Sequence, residues 1–249
     1  MACVGRQAER GIVRAAAFVL AFASGVALVA AAPAAAPRHA APSGRSVDWS
    51  RTVVATPDGG FRMGNPKAKL KLVEYGSLAC PHCRHFEQTG YKPLVQGYVR
   101  TGRVSYEFRN LLLNGPDLAV SLLAHCAGPA GFFAMSQVVY ATQPQWFEKV
   151  GAVTDAQRAE MEKMTDQQRI ARIGEIAGFP QIAGRFGVTA PRARQCLADP
   201  KGTEKLIRMT KAAEDAGITH TPTFLINGKV SDAATWEQLE PELKQAAGG

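Results

Sequence analysis

The chain has 249 residues, of which 46% are hydrophobic and 20% charged, with a formal net charge of +8. That composition supports a sizeable buried core and excludes a collagen-like, wholly disordered or polytopic membrane chain. The positive excess is scattered, without a long run of like charge or a basic stripe interleaved with aromatics, so nucleic acid is not an expected partner.

The N-terminus carries Arg6, Arg10 and Arg14, then an apolar stretch over residues 15–32, then the small residues Ala34, Ala35 and Ala36. This is the layout of a secretory signal peptide, assigned to residues 1–36. An apolar run of about 18 residues is also just long enough to span a bilayer, so an uncleaved anchor is the alternative. The expected location is periplasmic or otherwise extracytoplasmic. Residues 37–57 are rich in Pro, Ala, Ser and Gly and read as a flexible linker.

Residues 69–75 are a β-favouring run between Pro66 and Gly76 and read as a strand leading to Cys80-Pro81-His82-Cys83. Phe86, Tyr91, Leu94, Val95 and Val99 then recur at helical spacing, with a bend expected near Gly90 and Pro93. Residues 104–110 alternate in period two, a second strand. Helical patterns follow over 117–126, 131–142, 154–163, 165–176, 191–198 and 203–216, two of them opening on Thr-Asp, an N-cap followed by an acid in the first turn. A short strand over 223–226, a tight turn at Asn227-Gly228, a partner strand from Val230 and a helix over 235–246 complete the chain.

The order is β-α-β, a long helical block, then β-β-α. The expected architecture is α/β: a central mixed sheet flanked by helices, in two sequence parts (58–114 and 203–249), with an inserted all-helical subdomain over 115–202.

Five cysteines are present: Cys3, Cys80, Cys83, Cys126 and Cys196. Cys3 belongs to the targeting segment. In an exported chain Cys126 and Cys196 are expected to form a structural disulfide closing a loop of roughly 70 residues, with two buried free thiols as the alternative. The C-x-x-C pair points to redox chemistry. At a helix start, the first thiol faces the unpaired N–H groups of the first turn, and these together with the helix dipole favour a thiolate at Cys80. Pro81 suits the first helical position because its missing N–H would be unbonded there. His82 adds a donor near the sulfur. Cys83, one turn in, is expected to be more buried and to resolve mixed disulfides. A purely structural disulfide, a zinc half-site and a copper site are the competing readings. Cys126 and Cys196 lack the spacing of a second zinc pair, and no metal or cofactor is expected.

With these residues in place the sequence resembles the DsbA-like branch of the thioredoxin superfamily, over roughly residues 53–246. Three features carry the resemblance: Cys80-Pro81-His82-Cys83; Glu74, six residues before Cys80; and Thr221-Pro222 ahead of a short strand. The resemblance implies a thioredoxin fold with a helical insertion. It implies that Glu74 lies beneath the active-site pair and moves a proton to or from Cys83. It also implies that the Thr221–Pro222 bond is cis, with Thr221 and Pro222 as a substrate-binding loop offering backbone groups to an extended chain. A buried Glu74 would have a raised pKa and act as a proton acceptor near neutrality. His85 and His220 stand near these motifs without a stronger signal. Leu78, Phe86, Phe224 and the helical block are candidates for an apolar surface around Cys80.

The activity so implied is that of a thiol:disulfide oxidoreductase donating its Cys80–Cys83 disulfide to reduced or misfolded exported proteins, with a membrane redox partner restoring the disulfide. Thr221, in place of a bulky apolar residue, departs from the best-known oxidase pattern. It keeps a disulfide isomerase or reductase as the first alternative. The second is a non-catalytic binding or metal-chaperone module on the same scaffold.

Overall fold

The computed structural model describes residues 47–247. The signal-peptide assignment, and residues 37–46 of the expected linker, lie outside the described residues. Among the described residues no helix is long and apolar enough to cross a membrane.

The centre is a six-stranded sheet in the order β1-β2-β4-β3-β5-β6. The strands are β1 (Val53–Ala55), β2 (Phe61–Gly64), β3 (Leu70–Gly76), β4 (Val104–Asn110), β5 (Thr223–Ile226) and β6 (Lys229–Ser231). β3 and β4 run parallel, Leu72 opposite Tyr106 and Glu74 opposite Phe108, while every other neighbouring pair is antiparallel. The expected mixed sheet is therefore present, with β3 in its interior. The residues 47–57 that read as linker are partly structured. Asp48 caps a 3-10 turn over Trp49–Arg51, and β1 follows as an edge strand on β2. The β1–β2 hairpin was not foreseen. Its strands are three and four residues long, too short for a period-two pattern to stand out.

Helix α1 (Pro81–Phe86) begins at Cys80, whose backbone is extended (φ −82°, ψ 125°). The helical run continues through a π-helical turn (Glu87–Tyr91), one α-helical turn, α2 (Lys92–Leu94), and a second π-helical turn (Val95–Val99). Pro93 has no N–H to give the helical ladder, and this widened stretch stands where the sequence suggests a bend. At Gly90 an added Cβ would lie 2.7 Å from the Phe86 ring and 2.8 Å from Trp236 Cβ, so only glycine lets the C-terminal helix approach so closely.

The insertion comprises α3 (Gly115–Cys126), α4 (Gly128–Ala141), α5 (Gln143–Gly151), α6 (Asp155–Glu162), α7 (Asp166–Ala177), α8 (Phe179–Gly184) and α9 (Ala190–Leu197). Thr154 and Thr165 each form a capping box, with Gln157 and Gln168, as their Thr-Asp starts suggest. α5 and α8 carry no expectation from the sequence; Pro144 sits in the first turn of α5, where its missing N–H costs nothing. α10 (Pro200–Asp215) returns the chain to the sheet, and α11 (Trp236–Ala246) packs against the widened helix after α1.

Sheet and insertion share one core. Phe132 of α4 stacks on Phe61 of β2 at 4.4 Å and meets Phe108 of β4 at 5.6 Å, while Trp146, Phe179, Leu123 and Leu197 fill the insertion's interior. Leu78, Phe86 and Phe224, expected as candidates for an apolar surface, are instead fully buried (0–1% exposed). Phe86 and Phe224 pack ring on ring at 4.7 Å, sealing α1 onto β5.

Cys126 and Cys196 are bonded, with Cα atoms 6.2 Å apart and a sequence separation of 70. Closing a loop of that length removes denatured-state entropy worth about 4 kcal/mol. Replacing both cysteines with alanine is expected to lower the unfolding free energy by about 2–4 kcal/mol, read from urea denaturation. A loss below about 1 kcal/mol would show that the bond constrains little of the unfolded chain.

Candidate active site

β3 and α1 bring the site together. β3 delivers Glu74 and then the loop of Ser77, Leu78 and Ala79, and Cys80 stands at the N-terminus of α1 with Pro81 in the first turn. Cys80 and Cys83 are both free thiols, 4% and 1% exposed, Cys83 being the deeper. From the opposite side the Thr221–Pro222 loop closes in, its peptide bond cis and the Thr221 carbonyl 3.3 Å from Cys80 Sγ. Cys80, Cys83, Pro81, His82, Thr221 and Pro222 thus meet at the end of β3 and the start of β5. His82, His85 and His220 are exposed, and the His220 carbonyl accepts from the Thr223 hydroxyl at 2.7 Å.

The two sulfurs are driven apart in acidity. The Cys80 thiolate accepts hydrogen bonds from the Cys83 thiol, the Thr221 side chain and the N–H groups of Cys83 and His82, which bring its pKa from 9.0 down to about 5 against the opposing cost of burial. Burial pushes the Cys83 thiol well above its ordinary value, and the negative charges of Glu74 and Cys80 push it further. At neutral pH the reduced site therefore holds a thiolate at Cys80 and a thiol at Cys83.

Glu74 is 2% exposed, and its Oε2 accepts a 2.5 Å hydrogen bond from Tyr106 on β4. Burial raises its pKa to about 8, the Tyr106 bond opposing and the Cys80 charge adding to the rise. A Cβ at Gly76 would lie 2.5 Å from the Phe108 ring and 2.9 Å from Glu74 Oε1, so the glycine that ends β3 leaves room for this carboxyl. Glu87, in the first π turn, is likewise pushed to about 8 by burial and the Glu74 charge.

Other polar partners were invisible in the sequence. Asp117 of α3, Tyr140 of α4 and Gln143 of α5 reach the loop before Cys80. The Tyr140 hydroxyl donates to the Ser77 carbonyl at 3.0 Å, and Gln143 Nε2 donates to the carbonyls of Leu78 and Cys80 at 3.2 Å each. Asp117 marked only a helix start, and the Tyr106 hydroxyl had no sequence cue beyond its place in an alternating strand.

The thioredoxin family model matches residues 56–245. A Rickettsia bellii protein bearing the name protein-disulfide oxidoreductase is 32% identical over 189 residues, which are 74% of this chain and 63% of that protein. The chain thus spans under two thirds of that relative's length. Among solved structures, the protein-disulfide isomerase from Novosphingobium aromaticivorans is 30% identical with a TM-score of 0.70, covering 76% of this chain and 97% of its own. Wolbachia pipientis alpha-DsbA1 shares the fold, with a TM-score of 0.55 at 22% identity, covering 78% and 94% of the two chains.

Proposed function

Because the chain belongs to the thioredoxin family, we propose that it is a DsbA-like protein thiol:disulfide oxidoreductase working as an oxidase. One observation carries the reading: Cys80 stands at the N-terminus of α1 beside the cis Thr221–Pro222 loop while Cys83 lies buried within the helix, an arrangement that lowers the Cys80 pKa and raises that of Cys83. A stabilised thiolate favours the reduced protein, which makes the disulfide a strong oxidant and Cys80 a good leaving group.

In the proposed cycle a substrate thiolate attacks Cys80 Sγ of the Cys80–Cys83 disulfide. The S–S bond breaks, a mixed disulfide forms at Cys80, and Cys83 leaves as a thiolate that takes a proton from the Glu74 carboxyl. A second substrate thiolate attacks the substrate sulfur of the mixed disulfide and releases Cys80 as its stabilised thiolate. The substrate has lost two electrons and gained a disulfide. The substrates are reduced exported proteins, held as extended chains along Thr221 and Pro222, in a periplasmic or other extracytoplasmic compartment reached by the N-terminal signal. A membrane redox partner takes the two electrons on. The Novosphingobium neighbour's name supports a second reading, disulfide isomerase, in which Cys80 attacks wrong disulfides and releases them rearranged.

The test is the reduction potential of the Cys80–Cys83 pair against glutathione buffers, followed by oxidation of a reduced unfolded protein and rearrangement of a scrambled one. A potential near roughly −120 mV with rapid oxidation supports the oxidase, and one near roughly −270 mV moves the assignment to a reductase. Efficient rearrangement of scrambled disulfides moves it to the isomerase. In the same assay Glu74→Gln is expected to slow exchange roughly tenfold to a hundredfold, since an amide cannot relay the Cys83 proton. An unchanged rate removes Glu74 from the mechanism.

A further inference from the structure

The loop before Cys80 is held by the insertion rather than by the sheet alone. Asp117 is 0% exposed. Its carboxylate accepts from the Ser77 hydroxyl at 2.5 Å, the Leu78 N–H at 3.1 Å, the Leu113 N–H at 3.0 Å and the Ser121 hydroxyl at 3.3 Å. Four donors fill the acceptor sites of an ionised carboxylate, and an asparagine would present an N–H group to one of them. Two of the four donors lie 39 and 40 residues earlier in the chain, on the active-site loop. A side chain that served only the first turn of α3 would need neither. The Ser77 hydroxyl that donates to Asp117 also accepts from the Ala79 N–H at 3.0 Å, and the Ser77 carbonyl accepts from the Cys80 N–H at 3.1 Å. Asp117 is thus two hydrogen bonds from the backbone that sets where Cys80 enters α1. Burial raises its pKa to about 6, so the carboxylate is mostly charged at neutral pH; where it takes up a proton as the pH falls towards 5, both oxygens still accept from the Leu78 and Leu113 N–H groups and a serine hydroxyl can turn to accept the proton, an arrangement an asparagine amide cannot copy.

We propose that Asp117 is a positioning residue for Cys80: from the insertion, its carboxylate fixes the Ser77–Leu78–Ala79 loop so that the Cys80 sulfur sits on the N–H groups of the first turn of α1. The proposal rests on Cys80 being the reactive thiolate. It assigns the helical insertion a part in setting that thiolate's acidity. Position and charge act with opposite sign. A carboxylate acting through space would raise the Cys80 pKa by like-charge repulsion, and its removal would lower it. A carboxylate acting by position lowers the Cys80 pKa, and its removal raises it.

The experiment is the pH dependence of Cys80 alkylation by iodoacetamide in the reduced full chain, compared with Asp117→Asn and Ser77→Ala. Near-ultraviolet circular dichroism and thermal melts establish which variants fold. The alkylation midpoint is expected to rise by about one pH unit in both, roughly a fivefold loss of thiolate at pH 5. A variant that is merely less stable keeps the natural midpoint. An unchanged or lowered midpoint in folded Asp117→Asn overturns the proposal; if that variant does not fold, Ser77→Ala decides by the same criterion. A natural protein that itself titrates like an ordinary cysteine overturns the functional reading and the positioning role together, whereas a natural midpoint near 5 with unmoved variants overturns the positioning role alone.

Discussion

Reduction of the Cys80–Cys83 pair is expected to stabilise the folded protein, and to do so more strongly as the pH rises from 5 towards 9. The folded Cys80 pKa of about 5 lies below its ordinary 9.0. A lowered value contributes stability that is fully present above the ordinary pKa and is lost as the pH falls through the folded one. At pH 7 the full shift corresponds to about 2–3 kcal/mol, and solvent screening of the sulfur's outer side brings the expected gain to about 1–2 kcal/mol. Glu74 has the opposite sign: raised to about 8, it contributes stability present below its ordinary 4.5 and lost as the pH rises through 8. The burial that raises Glu74 is common to both redox forms, so most of its contribution cancels when the two are compared. The measurement is urea unfolding of the reduced and oxidised protein at pH 5, 7 and 8.5. A reduced-minus-oxidised difference that does not grow with pH would refute the stabilised thiolate.

The second large effect concerns the separate roles of the two sulfurs. Cys80→Ala should abolish exchange, with a fall of roughly three orders of magnitude or more, because the sulfur that carries the mixed disulfide is gone. Cys83→Ala should leave Cys80 reactive and remove the thiol that resolves its adducts. Mixed disulfides with a disulfide-containing protein substrate should then accumulate on Cys80, identified by peptide mass spectrometry after digestion. Adducts at Cys126 or Cys196 would contradict both the pairing of those residues and the reactivity assigned to Cys80.

The features legible in the sequence were those written in adjacent residues. Cys80-Pro81-His82-Cys83 announces a helix N-terminus, Asn227-Gly228 announces a turn, and both central residues of that turn take positive φ, 52° and 81°. Glu74 and Thr221-Pro222 were found at fixed offsets and through the family resemblance, not through any local physical pattern. What escaped depends on distance. Asp117 stands on the loop before Cys80 because α3 packs there, and Gln143 reaches Leu78 and Cys80 from more than sixty residues away. An Asp near a helix start and a Gln beside a Pro look solvated until the fold buries them at 0% and 2%. The same limit misplaced Leu78, Phe86 and Phe224: apolar residues around a reactive cysteine suit either a surface groove or a core, and sequence alone does not choose between them.

The bond between Cys126 and Cys196 has a consequence for the integrity of the site. The two halves of the site lie on opposite sides of the insertion in the sequence, Cys80 and Cys83 before it, Thr221 and Pro222 after it. The bond joins the last residue of α3 to α9, so the chain from α4 to α8 hangs as a closed ring. A protease that cuts at exposed Lys163, between α6 and α7, opens that ring without releasing either half. The nicked protein remains one covalent molecule with its reactive thiol and its proline loop still tethered, and it separates into two only when the Cys126–Cys196 bond is reduced.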